Sequence, residues 1–67
     1  MAFIPKVYTR IRTICKEQRL TISELCARSG VKRETMREWD ESMPAADKLA
    51  AVADVLGKTV EYLLRAV

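Results

Sequence analysis

Four charged residues at helical spacing, Arg33, Glu34, Arg37 and Glu38, are the ones in this 67-residue chain best suited to chemistry at a surface. At about 100° per residue, with Arg33 at zero, Arg37 falls near 40°, Glu34 near 100° and Glu38 near 140°. On the same wheel Met36 and Trp39 fall near 300° and 240°. One side of the segment is therefore Met–Trp and buried, and the other is charged. Arg33, at the helix start, can take guanine O6 and N7 in a bidentate pair, and Glu34 and Glu38 can accept from cytosine N4. Lys32, Thr35 and Arg37, with Ser23 on the preceding segment, suit phosphates, which position a protein on a duplex without specifying sequence. A solvated helix face has the same pattern, and two Glu beside two Arg suit a protein partner equally well.

The elements that must position this face lie in residues 21–40, which read as two short helices joined at Gly30, a helix-turn-helix. Thr21-Ile22-Ser23-Glu24 has the form of a capping box, with the Thr21 hydroxyl on the N3 amide and Glu24 reaching back to the Thr21 amide. Gly30 supplies the positive φ that closes the first of the two helices. The next begins two or three residues later, near Lys32 or Arg33, so the pair must cross steeply. Around them the apolar spacing predicts three further helices. One runs from about Pro5 to Gln18, with Val7, Ile11, Ile14, Cys15 and Gln18 on one side. Another runs from about Pro44 to Leu56, ended by Gly57. The last is Val60 to Ala66, with Thr59 as N-cap. There are no strands, repeats or linkers, so residues 1–67 form a single all-α domain, a compact five-helix bundle.

Composition narrows the class. A chain this short buries only roughly 60% of its unfolded surface, so its stability margin is small. The net charge is +3, and it is unevenly placed. Residues 1–38 hold nine Lys or Arg against four Glu, a balance of +5, and residues 39–67 hold three against five acids, −2. A positive field around the helix-turn-helix attracts phosphate. Cys15 and Cys26, with no His in the chain, make no metal motif. They read as small buried hydrophobes in a reducing cytoplasm rather than as a disulfide. The start, Met-Ala-Phe-Ile-Pro-Lys, is not a secretion signal, and no run approaches the ~20 apolar residues of a membrane span. Catalysis is not expected, because Ser23, Ser29 and Ser42 have no base partner and there is no Gly-rich phosphate loop. No cofactor, metal or small-molecule substrate is expected either.

Residues 11–64 resemble the phage repressor and Cro-like helix-turn-helix family, the Xre family. The resemblance is carried by Leu20-Thr21-Ile22-Ser23-Glu24-Leu25-Cys26-Ala27, Ser29-Gly30-Val31, Thr35-Met36-Arg37-Glu38-Trp39-Asp40, and Asp47-Lys48-Leu49 through Val60-Glu61-Tyr62-Leu63-Leu64. It implies a bundle of the lambda repressor type that binds double-stranded DNA as a homodimer and regulates transcription, most naturally as a repressor on palindromic operators. Departures are local. Ile22 stands where the family has Gln, and Lys32 where it has a Ser or Thr cap. Cys15 stands where the family often has an Arg paired with an acid at the place of Asp40. Asp40 is thus left to solvent, or to Arg12, Lys16 or Arg19. The apolar C-terminal run Val60, Leu63, Leu64 and Val67 exceeds what a core of this size needs, so Leu64 and Val67 are candidate dimer contacts. The competing reading is a protein-interaction module on the same fold, an antitoxin or an anti-repressor partner.

Overall fold

The computed structural model describes residues 6–65. Five α-helices follow one another among the described residues: α1 (Val7–Glu17), α2 (Ile22–Ser29), α3 (Arg33–Arg37), α4 (Ala46–Leu56) and α5 (Val60–Leu64). No strand occurs among the described residues, so the all-α, five-helix expectation holds. Pro5, Ala66 and Val67 lie outside the described residues. Among the described residues no helix is long and apolar enough to cross a membrane.

The expected apolar faces meet in one core. Val7, Ile11, Ile14 and Cys15 of α1 pack with Leu25, Met36, Trp39, the inner face of α4 and Leu63 of α5. The helix ends obey local rules. The Thr21 hydroxyl accepts from the Glu24 amide at 3.0 Å, and the Thr21 amide donates to Glu24 Oε1 at 3.3 Å, which completes the capping box. Thr59 caps α5 by accepting from the Tyr62 amide at 3.0 Å. Gly30 (φ 77°) and Gly57 (φ 68°) end α2 and α4 in the left-handed region. Arg19 adopts the same conformation (φ 57°) just after α1. There the Leu20 amide returns to the Cys15 carbonyl at 2.8 Å, closing the helix as a glycine normally would.

Several boundaries differ from the sequence reading: α1 opens at Val7, after the non-helical Lys6, and α5 closes at Leu64, before the extended Arg65. Helix α4 begins at Ala46, because Ala45 is extended and Pro44 precedes the helix rather than opening it. More consequentially, the segment 33–40 is not one α-helix. It tightens into a 3-10 turn over Glu38–Asp40. Winding at three residues per turn carries Trp39 about 40° further round than α winding does. That swings the indole toward the Met36 side, where it is only 3% exposed.

Asp40 also departs from expectation. It is neither left to solvent nor drawn to Arg12, Lys16 or Arg19. Its Oδ1 accepts from the Thr9 amide at 2.9 Å, and its Oδ2 accepts from the Thr9 hydroxyl at 2.7 Å. Thr9 is the third residue of α1, so its amide is among those a helix cannot satisfy internally. The N-cap of α1, Lys6, makes no side-chain cap bond. Asp40 therefore caps α1 from across the molecule, and its negative charge sits at the positive end of that helix. At the opposite end of α1, Gln18 Nε2 donates to the Leu56 carbonyl of α4 at 2.8 Å, satisfying one of the last carbonyls of that helix.

Candidate nucleic-acid interface

The turn at Gly30 sets the site. Its left-handed backbone stops α2 and lets Val31 drop into the core, with the Val31 amide held by the Ser29 hydroxyl at 3.3 Å. Lys32 is extended and has no side-chain cap bond, so α3 opens at Arg33. Lys32, Arg33, Glu34, Arg37 and Glu38 are all exposed and Thr35 is half-buried, while Met36 and Trp39 are buried on the other side. The charged face is thus where the spacing placed it. Because α3 holds only five residues, its length is roughly 7.5 Å at 1.5 Å per residue, about two base-pair steps of 3.4 Å.

Across the turn, Arg33 Nη2 donates to Ser23 Oγ at 2.7 Å. The bond ties the first residue of α3 to the second residue of α2 and gives the guanidinium a fixed partner across the turn. The spacing of ten residues gave no sign of this pairing, since each residue stood out only as a separate candidate. A guanidinium has five N–H donors, so a bidentate fork remains available beyond the bond to Ser23. The serine hydroxyl accepts here and keeps its own proton for an outside acceptor such as a phosphate oxygen.

Glu34, Arg37, Glu38 and Glu41 line an open depression at the far end of the charged face. The Glu38 carbonyl also accepts from the Glu41 and Ser42 amides, both at 2.9 Å. Glu38 therefore belongs to the turn that closes the segment, and its side chain starts from the 3-10 backbone rather than from α3. A second open depression lies between the outer edge of α1 and the start of α2. Thr9, Arg12, Thr13, Cys15, Lys16, Leu20 and Ile22 line it. Both cysteines are free thiols, Cys15 buried and Cys26 half-buried. Burial, with a smaller contribution from the Cys26 charge, pushes the Cys15 thiol above its ordinary value of 9.0. The shift favours the protonated thiol, the less nucleophilic form.

The C-terminal helix packs on α1. Two cations approach the Tyr62 ring, Arg10 at 5.4 Å and Lys58 at 4.9 Å from its centroid. Leu64 is half-buried against the core, leaving part of its surface open. Of the candidate dimer residues, Val67 lies outside the described residues. Comparison of the chain with protein-family models, curated proteins and solved structures returned no match.

Proposed function

We propose that this chain is a sequence-specific double-stranded DNA-binding regulator, a repressor-type domain of the lambda repressor-like class to which its sequence is similar. The single observation that carries the reading is the Arg33–Ser23 bond across the Gly30 turn. It presents a preorganised guanidinium, with Lys32 beside it, at the exposed start of a helix whose back is buried. Arg33 reads a base edge, and Ser23, Lys32, Thr35 and Arg37 take phosphates. Glu34 and Glu38 accept from bases at the far end.

A helix of roughly two base-pair steps touches too little DNA for tight binding alone. The working unit is therefore a symmetric dimer reading half-sites about one helical turn apart, with the open side of Leu64 in the dimer contact. Catalysis has no place in this reading. The Ser23 and Ser29 hydroxyls accept from Arg33 and the Val31 amide, and the Ser42 hydroxyl donates to the Glu38 carbonyl.

A second reading has an observation in its favour. Three carboxylates and one Arg line the depression at Glu34–Glu41, which repels phosphate and suits a basic protein partner. Selection of bound duplexes from a random pool separates the two. A palindromic consensus with strongly salt-dependent affinity is the expected result, and recovery of no consensus sinks the DNA reading. Within that experiment, Arg33→Ala should blur one base position, at a cost of about 1–3 kcal/mol. Lys32→Ala should weaken all duplexes alike and flatten the salt slope by about one unit. An unchanged consensus for Arg33→Ala reverses the roles assigned here.

A further inference from the structure

The charged face of α3 does not account for the cations of α1. On α1 the core side is Val7, Ile11, Ile14 and Cys15. Arg12 and Lys16, one turn apart, project from the outer edge and are exposed. They rim the open depression floored by Cys15, Leu20 and Ile22. Ile22 is the first residue of α2, and the next residue, Ser23, holds Arg33. The rim of α1 is therefore continuous, through the start of α2, with the start of α3.

Asp40 reaches the Thr9 end of the depression, and both of its oxygens are engaged by Thr9. The Thr13 hydroxyl is likewise turned to the Thr9 carbonyl at 3.2 Å. The side chains left to meet an outside anion are Arg12, whose guanidinium stands 5.8 Å from the Tyr8 ring centroid, and Lys16.

We infer that the outer edge of α1 is a second phosphate-contacting strip, in which Arg12 and Lys16 continue the backbone track that begins at Ser23 and Lys32. The occupant is the sugar-phosphate strand of a DNA duplex running on past the bases read by α3. The inference rests on the DNA-binding reading above. It adds two ion contacts that position the duplex without reading it, so affinity depends on DNA flanking the recognised bases.

The test uses the whole chain and the duplex selected by it from a random pool. Binding is measured over a series of salt concentrations for wild type, Arg12→Gln, Lys16→Gln and the double variant, with Lys58→Gln as a charge-matched control beside Tyr62. Each lost phosphate contact lowers the slope of log K against log salt by about 0.9. The expected result is a slope reduced by about one unit in each single variant and about two in the double. The selected consensus and the melting temperature should be unchanged. Trimming the duplex flanks should erase the difference between wild type and the double variant. An unchanged slope on a duplex that still binds tightly overturns the α1 strip alone. So does an equal loss in Lys58→Gln, which marks a net-charge effect rather than a contact. If wild type selects no duplex at all, the DNA reading and the strip fall together.

Discussion

Helices α2 and α1 begin in opposite ways. The start of α2 is secured within four residues, by the reciprocal bonds of Thr21 and Glu24. The start of α1 has no local cap and is secured by Asp40, 31 residues away. The first arrangement forms wherever the chain turns helical. The second exists only once the 3-10 turn has carried Asp40 against α1, so the start of α1 and the end of the α3 segment hold each other in place. The difference shows how the domain fixes its candidate interface. The near side of α3 is set by α2 through the turn at Gly30 and the Arg33–Ser23 bond. The far side is set by α1 through Asp40 and by the core through Trp39.

Removing Trp39 should break the comparison most severely. Truncating a buried aromatic costs about 3–5 kcal/mol, a large fraction of the stability of so small a domain. Trp39→Ala should leave no cooperative thermal transition by circular dichroism. A variant that melts cooperatively and loses only DNA affinity would place Trp39 on the binding surface instead.

The next effect separates the two kinds of cap. Asp40→Ala removes two hydrogen bonds, one of them from a helix-end amide to a carboxylate, and should cost about 1–3 kcal/mol. Because Asp40 is half-exposed, the lower half of that range is expected. Thr21→Ala should cost about 1 kcal/mol. A double-mutant cycle of Asp40→Ala with Thr9→Val should show coupling above about 0.5 kcal/mol, whereas Asp40→Ala with Thr21→Ala should be additive. Additivity in both cycles would mean that the bond from the Thr9 hydroxyl to Asp40 contributes nothing, leaving the amide alone to hold the remote cap.

The smallest effect has the opposite sign. Arg19 occupies a left-handed conformation (φ 57°) that costs a side-chain-bearing residue roughly 1–2 kcal/mol. Glycine avoids that strain but loses more backbone entropy on folding, by roughly 0.5–1 kcal/mol. Arg19→Gly should therefore raise stability by up to about 1.5 kcal/mol, read as a melting temperature a few degrees higher. A lower melting temperature would show that the Arg19 side chain contributes more than its backbone costs.

Much of this molecule is legible along the chain because the interactions concerned are short-range. The capping box at Thr21, the Thr59 cap, the glycine stops at Gly30 and Gly57 and the apolar spacing of α1 and α4 all act within a turn or two. Residue type at fixed offsets is then sufficient, which is why five helices, the inward side of Met36 and Trp39 and the exposed charged face were all readable from residue order. What lay beyond that reach was decided by packing. Thr9 and Asp40, Gln18 and Leu56, and Ser23 and Arg33 carry no mark of one another in sequence, because polar side chains on outer helix faces look alike until tertiary contacts select their partners. The 3-10 turn belongs to the same class. Helical periodicity continues through Glu38 to Asp40, and only the demand that Trp39 fill the core while Asp40 meets Thr9 tightens the winding there.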